Sequence, residues 1–169
     1  MSSLESEQAV LYITFSLEDE MFAVDVSKVR EILDSTRITK IPRAPEFMRG
    51  VINVRGGVVP VVDMRLKFGM PNVENTSNTR IIVLELELEG ETIVLGALAD
   101  SVRDVVELDQ GRIEGPPRIG SRWRTEFIKG IGKRNDEFII LLDIDRIFSS
   151  DELAIVDTTA SEAVVETAE

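Results

Sequence analysis

The chain contains two related halves, and this repeat limits the possible folds more than any other feature. Three blocks of sequence recur in the same order in both halves, and an aspartate lies near the end of each copy of the third block. The blocks are VSKVREIL with ADSVRDVV (26–33 and 99–106), FMRGVI with FIKGIG (47–52 and 127–132), and VPVVDM with ILLDID (59–64 and 140–145). A period of about half the chain is too long for a solenoid repeat. The sequence therefore predicts duplication of one small folding unit.

Alternating and β-branched segments predict about five short strands in each half. Within the first segment, Leu11, Ile13 and Phe15 alternate with polar residues, which is typical of a strand with one face in water. Five antiparallel strands bury their edges only by curling up. We therefore expect a mainly β protein of two pseudo-repeated five-stranded barrels, packed side by side, with short helices. The expected strands are Val10–Leu17, Met21–Val26, Arg37–Ile41, Val51–Val54, Val58–Val62, Arg80–Glu89, Thr92–Ala99, Ile128–Gly132 and Phe138–Asp143.

Several segments carry a helical pattern instead. Val26, Val29, Ile32 and Leu33 form a stripe at helical spacing, and the amphipathic segment Asp100–Leu108 matches it in the second half. Single helical turns are expected at Met64–Phe68 and Ile144–Phe148, capped by Asp63 and Asp143, with a short helix around Trp123–Phe127. Ser149 and Glu152 have the spacing of a capping box for one helix in the C-terminal segment.

Composition shifts suggest where the parts of the chain begin and end. Residues 1–9 are expected to be a flexible start, 10–149 the folded domain, and 150–169 an acidic tail around its one helix. The Gly-, Pro- and Asn-rich stretch between Gly69 and Ser77 is the best internal boundary. It divides a first barrel of about 10–70 from a second of about 79–149, and this boundary is approximate because strands can exchange between the two.

Composition also excludes several classes of function. There is no cysteine and no histidine, which removes disulfides, thiol and imidazole catalysis, and Cys/His zinc sites. The net charge of −12, half of it from residues 150–169, argues against nucleic acid and anionic membranes as partners. No segment approaches the roughly 20 apolar residues of a membrane span. The first eight residues do not resemble a signal peptide, so a cytoplasmic location is expected.

Catalysis receives little support from the residues, and no cofactor is expected. Asp143 and Asp145 have a spacing that suits a divalent cation, but Arg65 replaces the second carboxylate in the first half. Helix capping by Asp143 is therefore the preferred interpretation. A small acidic β-barrel hydrolase or metal-dependent enzyme remains the alternative.

Binding receives more support, from the hairpin formed by Val51–Val54 and Val58–Val62 across Arg55-Gly56-Gly57. Adjacent glycines tolerate the positive φ of a tight turn. Asn53 and Arg55 are two residues apart, so they are expected to share a face and to suit a partner's carboxylates or carbonyls. A solvated charge beside a turn is the alternative interpretation of Arg55.

The sequence G-V-I-N-V-R-G followed by V-V-P-V-V-D-M-R (50–56 and 58–65) resembles the signature hairpin of the CheW family of chemotaxis coupling proteins. Three flanking segments agree with it: F-A-V-D-V-S-K-V-R-E-I (22–32), A-D-S-V-R-D-V-V (99–106) and L-L-D-I-D-R-I-F (141–148). The resemblance covers about Val10 to Phe148. It implies two SH3-like barrels, no catalytic activity, and an adaptor that links the cytoplasmic tips of methyl-accepting chemotaxis receptors to the regulatory domain of the histidine kinase CheA. The location implied is the membrane-associated receptor array, without membrane insertion.

The resemblance also implies roles for particular residues. It assigns receptor binding to Val29, Asn53, Arg55, Val102 and Val105, and kinase binding to Glu31, Ile32, Ile38, Arg118 and Ile119. The alternative interpretation is that the three valines are core residues, because a valine stripe at helical spacing usually packs in the core. Arg118 and Ile119 fall in a loop implied to close rings of coupling protein and kinase, with further coupling-protein copies as an additional partner. This chain has Gly115-Pro116-Pro117 before them, where relatives often carry an acidic-aromatic pair.

Overall fold

The computed structural model describes residues 9–34, 36–71, 74–115 and 127–156, which form ten strands and a few short helical segments. No helix among these residues is long and apolar enough to span a bilayer. The expectation of a mainly β protein is confirmed. The strands are β1 (Ala9–Leu17), β2 (Glu20–Asp25), β3 (Val29–Asp34), β4 (Met48–Val54), β5 (Gly57–Val62), β6 (Arg80–Leu88), β7 (Glu91–Ala99), β8 (Ser101–Asp109), β9 (Ile128–Arg134) and β10 (Glu137–Leu142).

The two five-stranded sheets each take strands from both halves of the chain. One sheet has the order β8-β1-β2-β10-β9, and the other has the order β3-β6-β7-β5-β4. Each half therefore keeps its last three strands and gives its first hairpin to the other sheet. Short parallel pairings, β2 with β10 and β5 with β7, join the exchanged hairpins to their new sheets. For this reason the sheets do not follow the approximate ranges 10–70 and 79–149.

A single bridge closes each sheet into a barrel. Thr39, which follows β3, exchanges two backbone hydrogen bonds with Val51 of β4, with N–O distances of 2.8 and 2.9 Å. Glu114, which follows β8, does the same with Ile131 of β9, at 3.0 and 2.8 Å. The expected strand Arg37–Ile41 is therefore reduced to one paired residue, and Pro42 beyond it has no N–H to extend the pairing.

Two segments expected to be helical are strands. Val26–Lys28 forms one 3₁₀ turn, after which the chain continues as β3, and Asp100–Leu108 lies almost wholly within β8. Both strands carry a bulge, between Val29 and Glu31 in β3 and opposite Thr14 in β8. A bulge inserts one residue and shifts the alternation of side chains. This shift produced an apolar spacing that resembles a helical stripe.

Of the four apolar clusters among the described residues, three fill the space between and within the barrels. The largest lies between the sheets and combines Phe15 and Phe22 of one sheet with Leu84 and Leu95 of the other, together with Phe68. Two smaller clusters fill the barrels, around Ile81 and Val61 in one case and around Tyr12 and Leu141 in the other. The barrels therefore share a central core and also have cores of their own.

Short helices follow the last strand of each half. Helix α1 (Met64–Lys67) is capped as expected, because the Asp63 carboxylate accepts a hydrogen bond from the Arg65 N–H at 3.0 Å. Helix α2 (Ile144–Ile147) corrects the matching prediction. Asp143 stands at its N-cap position, but its side chain makes no capping hydrogen bond and lies 3.5 Å from Arg146 Nε. The segment around Trp123 lies outside the described residues.

A third helix, α3 (150–156), docks on the folded domain through two buried side chains. Its capping box is confirmed, since Ser149 N–H donates to Glu152 Oε1 at 2.9 Å and Glu152 N–H donates to Ser149 Oγ at 3.1 Å. Leu153 joins the central core, and Val156 joins Met48 in a cluster on the outside of β4.

A charged latch adds to this docking. Lys67 Nζ donates to Glu152 Oε2 at 2.7 Å and lies 5.7–5.9 Å from the ring centres of Phe47, Phe127 and Phe148. Partial burial alone would raise the pKa of Glu152. The hydrogen bonds from Lys67 and Ser149, with the charge of Lys67, outweigh this effect and hold the pKa below its ordinary value.

Two repeated glycines lie at the barrel-closing bridges, and we expect both to be intolerant of alanine. A Cβ on Gly50, which has φ of +145°, would overlap Thr39 O, and one on Gly130 would overlap Ile113 Cγ2. Gly50→Ala and Gly130→Ala should each lower the free energy of unfolding by about 2–4 kcal/mol in urea titrations. Gly57→Ala is the control, because its Cβ would meet only Val54 O at 3.4 Å. Losses no larger than that of Gly57→Ala would contradict the close approach.

The latch predicts that α3 releases in acid. A lowered pKa in the folded state stabilises docking above the unfolded value of about 4.5 and loses that contribution as the pH falls through the folded value. The protection factor of the Leu153 amide, whose N–H donates to Ser149 O at 3.0 Å, should therefore fall below about pH 4.5, once the exchange rate is corrected for its intrinsic pH dependence. In Glu152→Gln this dependence should flatten, whereas Asp151→Asn, on the same helix, should retain it. An unchanged profile in Glu152→Gln would argue against the latch.

Candidate functional site

The Arg55 hairpin is a two-residue turn in which both central residues have positive φ. β4 and β5 pair up to Val54 and Gly57, so the turn consists of Arg55 with φ of +50° and Gly56 with φ of +85°. This is the φ pattern of a type I′ turn, which matches the twist of the flanking strands and prefers Asn, Asp or Gly. Arginine is an unfavourable residue for the first of these positions. Glu89 occupies the same position of the β6–β7 turn with φ of +49°, so this backbone cost is not specific to Arg55 and does not by itself indicate a function.

The Asn53 side chain contributes to the turn itself. Its Oδ1 accepts a hydrogen bond from Gly56 N–H at 2.8 Å. The Arg55 guanidinium instead pairs with Glu31 of β3, with Nη1–Oε2 and Nη2–Oε1 distances of 2.9 and 3.3 Å. The sequence predicted that the Asn53 amide and the Arg55 guanidinium would act together on a partner. The structure corrects this for the amide oxygen, which accepts a hydrogen bond within the turn. Asn53 supports the loop that presents Arg55.

The ion pair connects two elements that the sequence separates by 24 residues. The Arg55 side chain is 80% exposed, whereas that of Glu31 is 23% exposed. The ion pair thereby holds the Glu31 carboxylate of β3 against the tip of the β4–β5 hairpin. A residue expected to contact receptor is in direct contact with a residue expected to contact kinase.

The remaining expected site residues on the first half lie on or just after β3. Val29 is partly buried against the central core, on the outer face of the barrel, whereas Ile32 on the same face is 38% exposed. Ile38, between β3 and the bridge at Thr39, is partly buried and packs on the cluster inside the barrel. Of these three residues, Ile32 offers the most apolar surface to a partner.

The second half places its expected receptor residues on β8 in an equivalent way. Val102 packs against the central core like Val29, and Val105 is 56% exposed like Ile32. Leu11 of β1 is also exposed, on the same outer face as Ile13, which pairs with Val105. The sequence marked Leu11 only as one position of an alternating strand. Its exposure follows from the pairing of β1 with β8, which the sequence did not reveal.

A second arginine–carboxylate pair occurs at the other hairpin and was missed. Arg134 Nη1 donates to Asp104 Oδ2 at 2.9 Å, and Thr14 Oγ1 donates to Asp104 Oδ1 at 2.6 Å. The hydrogen bonds from Thr14 and Arg134 hold the pKa of Asp104 below its ordinary value. Asp104 is the repeat equivalent of Glu31, but Arg134 lies one residue before the repeat equivalent of Arg55. Because of this offset, comparing the two halves did not reveal the pair.

The two pairs differ in how freely the arginine can be reached. Arg134 ends a strand and its side chain is 37% exposed, whereas Arg55 occupies the turn and is 80% exposed. Asp104 is held by a threonine as well as by arginine, whereas Glu31 has no such third partner within the described ranges. The Arg55 pair is therefore the more open of the two.

The acidic pair considered for a metal is used in structural contacts. Asp145 Oδ2 accepts from Lys28 Nζ at 3.0 Å, and its Oδ1 accepts from Glu87 N–H at 3.2 Å. Within the described ranges, no group of three or more carboxylate, imidazole or thiol side chains could hold a metal ion. Arg118 and Ile119 lie outside the described residues.

Comparison with known proteins gives a consistent result. The family model for the CheW-like domain matches residues 11–152. Chemotaxis protein CheW of Klebsiella aerogenes is 36% identical over 149 residues, covering 88% of this chain and 87% of that protein. Chemotaxis protein CheW of Rhizobium meliloti is 35% identical, with 83% and 88% covered. The crystal structure of scaffolding protein TtCheW from Thermoanaerobacter tengcongensis aligns with a TM-score of 0.75 at 34% identity, covering 85% and 90%.

The turn geometry predicts how substitutions at Arg55 affect stability. The β6–β7 turn is nearly identical, with Glu89 at φ of +49° and Gly90 at +83°. Glu89→Asn should raise the free energy of unfolding by about 0.5–1 kcal/mol, because asparagine tolerates this backbone. Arg55→Asn should gain less, because it also loses the ion pair with Glu31, which is worth about 0.2–1 kcal/mol.

Urea titrations in low and high salt measure both effects. At about 1 M NaCl the Debye length falls to about 3 Å, so the two gains should converge. A gain for Arg55→Asn that equals that of Glu89→Asn at low salt would show that the Arg55–Glu31 pair contributes nothing.

Proposed function

The chain belongs to the family of CheW-like domains, the scaffold proteins of bacterial chemotaxis, which are not enzymes, and from this premise we propose that it couples chemoreceptors to the histidine kinase CheA. The proposed partners are the cytoplasmic tip of a methyl-accepting receptor and the regulatory domain of the kinase. The proposed location is the receptor array at the membrane. Family membership leaves no support for the small acidic hydrolase or metal-dependent enzyme considered from the sequence.

The observation that carries this proposal is the ion pair between Arg55 and Glu31. An exposed pair of this kind contributes only about 0.2–1 kcal/mol, so a carboxylate or carbonyl on a partner can replace Glu31 at modest cost. If receptor binding captures Arg55, the Glu31 carboxylate is released beside Ile32. An adaptor transmits ligand state only when its two contacts influence each other, and this exchange supplies such a coupling.

The proposed receptor surface combines Arg55 with an apolar part. Val29 and Val102 are half-buried at equivalent places on β3 and β8, and Val105 is well exposed. A receptor tip made of helices would lay apolar side chains along such strands and offer its polar groups to Arg55. Asn53 has an indirect role here, since its side chain supports the turn.

The proposed kinase surface lies on β3 and the segment after it. Ile32 supplies exposed apolar area, Glu31 supplies a carboxylate, and Ile38 is partly accessible beside the barrel-closing bridge. Arg118 and Ile119 complete the proposal as ring contacts on the second barrel, shared with other coupling-protein copies. The proposed domain of about 10–149 thus carries both surfaces, with 1–9 and 150–169 as flanking segments.

Neither contact needs to be strong by itself. A contact at or below the roughly 1,200 Å² end of the interface range is transient in isolation. Two such contacts in an ordered array raise the effective concentration of each partner for the other. The pair-exchange mechanism requires this regime, because a very tight contact would not respond to the state of its neighbour.

The proposal is tested by binding and kinase assays on Arg55→Asn. This variant should bind a soluble receptor-tip fragment at least tenfold more weakly, bind the kinase regulatory domain within about threefold of the parent, and lose receptor-dependent kinase control. Arg55→Asp, which reverses the charge, should have a larger effect on receptor binding. Calorimetry measures the affinities, and a reconstituted kinase assay measures control.

Glu89→Asn is the matched control, since it makes the same change in an equivalent turn that contacts neither proposed partner. It should behave as the parent protein in all three assays. Full receptor control in folded Arg55→Asn would remove Arg55 from the proposed receptor site. Failure of the parent protein to bind either fragment would overturn the coupling function itself.

A further inference from the structure

A short basic segment, residues 37–43, follows β3 in this acidic protein, and we call it the basic strip. Arg37, Lys40 and Arg43 occur within seven residues that contain no carboxylate, in a chain with a net charge of −12. All three residues are exposed, and none forms an ion pair with another part of the chain that the structure describes. Such a strip attracts an anionic segment, because nothing within the described ranges neutralises it.

The docked helix α3 brings the end of the chain to this strip. Val156, its last described residue, is 1% exposed in the cluster with Met48 and Val51, and Ile41 and Ala44 pack against the same cluster. Ile41 is the neighbour of Lys40, and Ala44 is the neighbour of Arg43. The segment that follows Val156 therefore begins close in space to the basic strip.

The continuing segment, 157–169, has the complementary charge. It contains Asp157, Glu162, Glu166 and Glu169, and it has no lysine or arginine. We propose that this acidic segment binds the basic strip Arg37–Lys40–Arg43 as an intramolecular ligand. It thereby forms an electrostatic cover over this face of the first barrel.

The physical scale suits a reversible cover. A random coil of 13 residues, the length of 157–169, has a root-mean-square span of about 20 Å, which is enough to reach a strip beside Val156. Exposed ion pairs contribute about 0.2–1 kcal/mol each and weaken as salt is added. Tethering replaces an intermolecular encounter by an effective concentration on the order of millimolar. The cover should therefore form at low salt and be displaced at high salt.

A shallow cleft beside the strip adds a place for a carboxylate at Lys40, since Arg49 in the same lining already pairs with Asp63 at 3.1 Å. It has a volume of about 220 Å³, and its lining contains two cationic side chains and two small polar ones. The lining residues are Thr36, Ile38, Lys40, Arg49 and Asn75. Because Ile38 is a proposed kinase contact, the cover would compete with kinase binding. That consequence rests on the proposed function, whereas binding of the segment to the strip does not.

The test compares amide chemical shifts in the full chain and in a chain ended after Val156, which retains α3. At about 20 mM salt the two should differ at residues 37–44, and at about 500 mM salt the difference should disappear. Neutralising the segment with Asp157→Asn, Glu162→Gln, Glu166→Gln and Glu169→Gln should reproduce the shortened chain. Neutralising the strip with Arg37→Gln, Lys40→Gln and Arg43→Gln should abolish the effect of shortening.

A variant of equal net charge separates a local contact from a general charge effect. Asp19→Asn, Glu20→Gln, Glu89→Gln and Glu91→Gln remove four exposed carboxylates from two hairpin turns. This variant should leave the shifts of 37–44 at their parent values. The proposal is overturned if it matches the tail variant, or if shortening changes nothing at 37–44.

Affinity for the kinase regulatory domain tests competition with the kinase separately from binding of the segment to the strip. At low salt, neutralising the segment should raise this affinity about two- to tenfold. Unchanged affinity together with the expected shifts would support the cover and overturn the kinase contact at Ile38. A different result would overturn the cover. If the strip variant lost kinase binding while shortening the chain left the shifts of 37–44 unchanged, the strip would be a partner surface.

Discussion

The fold depends on a buried arginine at the junction of the two halves. Arg65 is 2% exposed and binds Asp63, which is fully buried, through Nε–Oδ1 and Nη2–Oδ2 at 3.0 and 3.1 Å, while its Nη1 reaches Asp100 Oδ1 at 2.7 Å. Asp100 in turn accepts from Glu18 N–H at 2.6 Å. Removing one partner from such a network leaves an unpaired buried charge, which typically costs 3–5 kcal/mol. The network therefore ties α1 and the β7–β8 corner to the turn of the exchanged hairpin β1–β2.

The second half makes the equivalent connection between a helix, a strand corner and an exchanged hairpin with the charges reversed. Where the first half has Arg65 after its last strand, the second has Asp145, which pairs with Lys28 at the β2–β3 corner and accepts from Glu87 N–H of the exchanged hairpin β6–β7. Burial alone would lower the pKa of Arg65, but its bonds to Asp63 and its proximity to two further carboxylates raise it. The opposite charges prevent either helix from replacing the other, so the two halves are related by topology without being interchangeable. This asymmetry lets one fold unit, used twice, present two different surfaces.

Local sequence was sufficient for the features that depend on neighbouring residues. The hairpin strands, the Asp63 cap and the Ser149–Glu152 capping box follow from turn and capping preferences, and the repeat correctly indicated two five-stranded units. Three kinds of feature could not be obtained in this way. A bulge in β3 and β8 changes the apolar period without leaving a local mark. Exchange of the first hairpins depends on which of two similar edges each strand meets. The Arg55–Glu31 contact needs both the bulge and the closed barrel.

The closure of each barrel brings together residues that the sequence separates. Two backbone hydrogen bonds between Thr39 and Val51 join the segment after β3 to β4. In both halves an arginine at or beside the hairpin turn pairs with a carboxylate on the strand at the other edge of the sheet. The pair therefore has a structural origin, and the proposed receptor contact depends on how it differs between the halves. In the second half a threonine and a strand position restrain it; in the first half a strained turn exposes it. The backbone cost of a positive φ is not what distinguishes Arg55, since Glu89 has the same conformation in the β6–β7 turn. The difference lies in access, because the Arg55 side chain is 80% exposed and that of Arg134 is 37% exposed.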